Sequence, residues 1–114
     1  MSPITTHVLD LSLGRPARGM AVELLAQDAD GSWNVLARSL TDTDGRAREL
    51  LPEGHQLDAG AYRLRFDTAA YFQTLGARAF YPEVVVTFRV DDRLAHYHVP
   101  LLLSPFGYST YRGS

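Results

Sequence analysis

The chain has 114 residues, a length at which one hydrophobic core forms and roughly 65% of the unfolded chain's surface is buried. A net charge of −2 and a pI near 6.0, with no basic run, leave no electrostatic footprint for nucleic acid or an anionic membrane, so a small molecule or another protein is the expected partner. The absence of cysteine excludes disulfides, thiolate nucleophiles and Cys-based zinc sites together and suits a reducing compartment. Residues 1–7 lack the basic and apolar parts of a secretory signal, and no apolar run approaches the 18 or so residues of a membrane span. Arg112-Gly113-Ser114 is not a peroxisomal address either. The expected location is the cytoplasm.

Short runs rich in Val, Leu, Thr and aromatics recur every ten to fifteen residues or so between Gly, Pro and Asp clusters, the pattern of a β-sandwich or barrel. The first strand is expected from Ile4 to Leu13, ending at Gly14-Arg15-Pro16, and the second from Met20 to Gln27 before the turn Asp28-Ala29-Asp30-Gly31. Trp33 to Leu40 reads as the third. After the turn Asp42-Thr43-Asp44-Gly45, a short strand runs from Arg46 to Leu50, followed by the loop Pro52-Glu53-Gly54-His55. Tyr62 to Phe66 makes a fifth. The stretch from Thr68 to Gly76 breaks the alternation, carries helix formers and stops at a glycine, which predicts one or two helical turns. Glu83 to Val90 and Ala95 to Leu103 flank Asp91-Asp92-Arg93, a polar loop of hairpin type. The expectation is an all-β fold of seven to eight strands with one short helix. No repeat, linker or low-complexity segment divides the chain, so residues 1–114 read as a single domain.

Four histidines are the first candidates for chemistry, because imidazole exchanges a proton near neutral pH. His55 lies in a polar loop and reads as solvated. His96 and His98 are two apart on a strand and share a face, their Cα atoms roughly 6.8 Å apart, while Tyr97, Val99, Leu101 and Leu103 take the other face and look like core. Such a pair could hold a metal, but a site needs three or four ligands and no matching cluster is visible, so no metal is expected. His7 shares a face with Thr5 and Leu9, against Thr6, Val8 and Asp10 on the other. Its neighbours are too mixed to call it core or surface, and taken alone it reads better as a hydrogen-bonded structural histidine. Arg46 follows the Asp44-Gly45 turn and reads as a solvated strand start.

Asp42-Thr43-Asp44-Gly45 resembles the opening of a calcium loop, but its glycine stands fourth rather than sixth and Arg46 takes a ligand position, so it reads as a turn. No nucleophile elbow, phosphate loop or dinucleotide fingerprint is present. The last segment, from Ser104 to Ser114, carries three aromatics with Pro and Gly. That is unlike a fraying terminus and suggests docking against the body or against another subunit.

Six segments taken in order are more specific than any one: Thr5-Thr6-His7-Val8-Leu9-Asp10, Gly14-Arg15-Pro16-Ala17, Asp44-Gly45-Arg46, Phe80-Tyr81-Pro82-Glu83-Val84, His96 to Pro105, and the closing Tyr111-Arg112-Gly113-Ser114. Together, over residues 4–114, they resemble the transthyretin-like family, and within it the 5-hydroxyisourate hydrolases. The hormone-carrier branch shares the sandwich but not the histidines, the arginine or the terminal tetrapeptide. The resemblance implies a β-sandwich of two antiparallel sheets, assembled as a homotetramer with sites in clefts at the dimer–dimer interface. It also implies hydrolytic opening of the six-membered ring of 5-hydroxyisourate, the product of urate oxidation, to 2-oxo-4-hydroxy-4-carboxy-5-ureidoimidazoline, with no cofactor.

Carried over by position, the catalytic residues are His7, Arg46 and His98, and the substrate-binding residues His7, Arg46, Tyr111 and Ser114. On this reading the two histidines position and deprotonate water, Arg46 holds the carbonyl and imide groups and the developing charge, and Tyr111 and Ser114 close the cleft. Which histidine takes the proton stays open, and His96 stands behind the pair. Two other classes compete: a non-catalytic carrier, which predicts other residues at positions 7, 46 and 98, and an immunoglobulin-like module, which lacks the Cys/Trp/Cys framework and leaves the tail unexplained.

Overall fold

The computed structural model of the chain describes residues 2–114. Period-two alternation orients β1 (Ile4–Asp10): Ile4, Thr6, Val8 and Asp10 face inward and are fully buried, while His7 and Leu9 on the other face stay partly exposed. β2 (Arg15–Pro16) returns antiparallel along the end of β1. β3 (Ala21–Gln27) and β4 (Trp33–Leu40) form a hairpin with a bulge at Leu24/Leu25. β5 (Arg46–Ala47) pairs with the middle of β1. β6 (Gly60–Phe66) lies between β3 and β7 (Val84–Val90), and β8 (Tyr97–Ser104) turns directly into β9 (Gly107–Thr110).

Two sheets result. One runs β2-β1-β8-β9, with β5 sharing the free edge of β1 beside β2; the other runs β4-β3-β6-β7. Val22, Leu24, Leu64, Phe66 and Val84 from the second sheet and Ile4, Val8, Leu101 and Leu103 from the first are fully buried in one core, each contributing about 1.5–3 kcal/mol of apolar burial. On the outer face of the second sheet Glu23 pairs with both Arg38 and Arg65.

The helix α1 (Thr68–Thr74) begins where the Asp67 side chain accepts the Ala70 N–H at 3.1 Å and ends ahead of Gly76, whose φ is 70°. Its Tyr71 and Phe72 are buried. The Tyr71 hydroxyl donates to Asp10 Oδ2 at 2.7 Å, tying the helix to β1.

The two-sheet sandwich with one helix is as expected, but several details differ. The first sheet is not wholly antiparallel, because β1 and β8 run parallel from Ile4↔Tyr97 to Asp10↔Leu103. Parallel neighbours need a long connection, and here the chain between Leu11 and His96 supplies it. The Asp91-Asp92-Arg93 loop does not close a hairpin: β7 and β8 lie in different sheets, and the loop carries the chain across. The Tyr97 hydroxyl pins this corner, accepting the N–H of Asp91 and of Asp92 and donating to the Asp92 carbonyl. The strand expected from Arg46 to Leu50 stops at Ala47, after which Leu50 and Leu51 drop into the core. β2 and β9 are additional short strands.

Candidate active site

The parallel β1–β8 register and the antiparallel β1–β5 register together place polar side chains in rows across one sheet face. His7 lies opposite Arg46 on β5 and Pro100 on β8. One pleat away Thr5 is the partner of His98, and His98 is bridged on its other side to Gly113 of the tail, whose N–H donates to the His98 carbonyl at 2.8 Å. The outcome is a cleft of about 710 Å³ lined by His7, Arg46, His98, Tyr111 and Ser114, with Thr5, His96 and Gly113 among its further walls. His55 is exposed in its loop and lines none of it.

Each side chain has a local reason for its place. Arg46 is set by the turn before it: Asp42 Oδ1 accepts the N–H of Asp44 at 2.9 Å and of Arg46 at 3.0 Å. Gly45 has φ 76°, and its carbonyl accepts the Val8 N–H at 2.7 Å. A Cβ at position 45 would collide with the Val8 carbonyl oxygen. The Asp42–Gly45 run is therefore a turn that docks β5 on β1. Among the described residues no group of three His, Asp or Glu side chains is arranged to hold a metal ion.

The tail is fixed by Thr110 Oγ1 donating to the Pro100 carbonyl at 2.7 Å, by the Arg112 guanidinium 4.5 Å over the Tyr97 ring, and by the Gly113 bridge. A Cβ on Gly113 would fall 2.7 Å from His98 Cδ2, so only glycine lets the tail lie against that imidazole.

Electrostatics favour neutral imidazoles. Burial first, and the positive charge of Arg46 second, hold His7 below its ordinary value of 6.5, against a carbonyl of Asp44 and the charges of Asp42 and Asp44 that pull it up. His98 is lowered by burial, then by Arg46, His96 and His7. None of the ion pairs found among the described residues engages Arg46. Two proton-accepting rings thus face an unpaired planar guanidinium and the side chains of Tyr111 and Ser114. Such a set can hold a carbonyl compound, activate water against it and stabilise an oxyanion.

Comparison with known proteins bears on which carbonyl compound. The HIUase/Transthyretin family pattern matches residues 4–113. The chain belongs to this family. Within the HIUase/Transthyretin family, the 5-hydroxyisourate hydrolase of Mus musculus is 46% identical over 114 residues, covering 99% of this chain and 96% of the mouse protein. Among solved structures, 5-hydroxyisourate hydrolase of Klebsiella pneumoniae superposes with a TM-score of 0.83 at 35% identity, over 97% of this chain and 98% of that one. Sea bream transthyretin in complex with thyroxine gives 0.91 at 35% identity, over 98% of this chain and 95% of the other. Backbone likeness alone therefore does not separate the two branches of the family; the side chains of the cleft must.

The structure brings all five sequence-predicted residues to one cleft. Sequence reasoning missed Thr5 and Gly113. The signal for Thr5 was present, since alternation puts it on the face of His7; Gly113 stood in the terminal tetrapeptide, but nothing local to it showed that it packs against an imidazole.

Proposed function

We propose that the chain hydrolyses 5-hydroxyisourate, opening its six-membered ring to 2-oxo-4-hydroxy-4-carboxy-5-ureidoimidazoline, and that His7, Arg46 and His98 are its catalytic residues. The observation that carries the assignment of the site is the cross-strand pair of His7 and Arg46 in the same cleft as His98. Water held by the two neutral imidazoles gives up a proton to one of them as its oxygen bonds to the ring carbonyl carbon. The oxyanion forms against Arg46. Its collapse breaks the carbon–nitrogen ring bond, the proton passes from the imidazolium to the departing nitrogen, and the carbonyl carbon becomes a carboxylic acid that loses its remaining proton to solvent as the carboxylate forms. Positioned acid–base groups contribute about 10²–10⁴ in rate to such a step. Tyr111 and Ser114, at the tail end of the cleft, contact the substrate. No step calls for a cofactor.

The reading includes one domain over residues 1–114, a cytoplasmic location and a homotetramer with sites at the dimer–dimer interface. Among the described residues no helix is long and apolar enough to cross a membrane. The tetramer is supported by a cleft floored by one sheet face, with Tyr111 and Ser114 exposed at its rim, where a second copy would supply the roof.

The test is to generate 5-hydroxyisourate freshly from urate, add the protein and follow the absorbance decay. Decay well above the buffer rate is expected. Decay at the buffer rate, with saturable ligand binding to the cleft, would instead favour the carrier branch represented by the transthyretin likeness.

A further inference from the structure

The Thr5 hydroxyl stands between two imidazoles, 2.8 Å from His98 Nδ1 and 3.2 Å from His96 Nε2. The rings lie 6.5 Å apart, nearly parallel at 14°. A hydroxyl has a single proton to give. It therefore cannot donate to both nitrogens, and the tautomers of the two rings are tied through it.

The possible settings have different chemical consequences. If Thr5 donated to His98 Nδ1, that ring would carry its proton on Nε2, the nitrogen turned away from Thr5, and could not accept a proton from water there. If His98 Nδ1–H donates to Thr5, Nε2 keeps its lone pair. The second setting is the one a general base at His98 requires. With Nδ1 taken up by the Thr5 hydroxyl, Nε2 is the His98 nitrogen left for chemistry in the cleft, and only the second setting makes it basic. The hydroxyl proton then has an acceptor in His96 Nε2, its one other hydrogen-bond partner among the described residues.

Geometry makes the bridge stiff. Thr5 is 4% exposed and pairs with His98 in the β1–β8 ladder, and a β-branched residue has few rotamers on a strand. We infer that Thr5 is a positioning residue for the hydrolysis: its hydroxyl accepts from His98 Nδ1–H and donates to His96 Nε2, leaving the His98 Nε2 lone pair for water. The inference rests on the hydrolase reading above for its catalytic consequence and for the choice between the two settings, and on geometry for the bridge itself. His96 receives a role as the outer acceptor of the bridge.

The experiment combines Thr5→Val, which keeps shape without the hydroxyl, and Thr5→Ser, which restores it, with long-range ¹H–¹⁵N spectra of the imidazoles at pH 8 and steady-state kinetics on 5-hydroxyisourate. Expected are a parent His98 protonated at Nδ1, a shift toward the Nε2-protonated form in Thr5→Val, and the parent pattern in Thr5→Ser. Loss of the poised base should lower kcat about 10-fold or more in Thr5→Val, a share of the 10²–10⁴ of general base catalysis. KM should stay within about 2-fold, and Thr5→Ser should return kcat to within about 3-fold of the parent.

A parent His98 protonated at Nε2 overturns the inference. So does a Thr5→Val variant that changes only one of tautomer and kcat, or neither. If Thr5→Val does not fold, the parent spectrum and Thr5→Ser carry the decision. If the parent does not hydrolyse 5-hydroxyisourate, the function fails, while the spectra still decide whether Thr5 sets the tautomer.

Discussion

His7 and His98 are lowered by burial first and by Arg46 second, and this makes pH a direct probe of the site. Both bases stay neutral somewhat below 6.5, so the acid limb of kcat/KM should have an apparent pKa under that value. Arg46→Met removes one depressing charge from both rings. It should move the limb to higher pH and cost about 10²-fold in kcat/KM, the scale of a lost oxyanion donor; Arg46→Lys keeps the charge, so its limb should stay put while the loss of the planar fork still slows turnover. A limb that does not move in Arg46→Met would separate the guanidinium from the bases. By the same geometry His98→Ala should lower turnover at least about 10²-fold, whereas His55→Ala, on an exposed loop, should leave it within about 2-fold, both read in the absorbance assay. At this scale the sequence showed the right chemical types but not their company. A histidine on a mixed face reads as structural until register sets it opposite Arg46, and the role of Thr5 shows only when His98 is known to lie beside it.

Strand pairing is what converts those residues into a site, and two glycines control it. Gly45→Ala would put a side chain at φ 76° and against the Val8 carbonyl; the conformation alone costs about 1–3 kcal/mol, and the clash adds to it. Urea unfolding should show at least that loss, with activity falling further as β5 shifts Arg46. Gly113→Ala places a methyl 2.7 Å from His98 Cδ2 in a tail that carries little of the core. Its expected signature is the reverse: stability within about 1 kcal/mol of the parent, since peripheral substitutions cost little, with kcat down by up to about 10², the effect of a misplaced catalytic group. The elements themselves were legible because alternation and turn residues are local. β3, β4, β6 and β7 fall within a few residues of their expected spans, and the helix stops at its glycine. Partnership was not legible, because pairing is decided by distant residues. Asp91-Asp92-Arg93 has the composition of a hairpin loop, yet a tyrosine hydroxyl six residues or fewer away turns it into a crossover between sheets.

The whole molecule depends on holding its two ends together, since β1 opens the chain, β8 and the tail close it, and the cleft lies between them. Besides the shared core, the Asp10–Tyr71 hydrogen bond joins β1 to the helix across 61 residues of sequence. Burial alone would raise the Asp10 carboxyl, but hydrogen bonds from the Ser12 and Tyr71 hydroxyls and from the Leu13 and Ser12 N–H groups outweigh it and hold the group below 3.8. The same contact, after burial, pushes the Tyr71 hydroxyl upward. A carboxylate depressed on folding stabilises above its unfolded pKa, and that contribution is lost as pH falls through the lower folded value. Acid unfolding in which Asp10 takes part therefore belongs below about pH 4, the unfolded range of an aspartate. Tyr71→Phe leaves one buried carboxylate oxygen short of a donor. It should cost about 1–3 kcal/mol near neutral pH, raise the Asp10 pKa and so move the acid transition to higher pH. Because association stabilises a folded chain by mass action, the comparison needs urea and acid titrations at one protein concentration, repeated at a tenfold dilution. In the proposed homotetramer dilution lowers the urea midpoint and moves the acid midpoint to higher pH for parent and variant alike, while the gap between them persists. A gap that vanishes on dilution would assign the Tyr71 effect to assembly rather than to the clamp between helix and sheet.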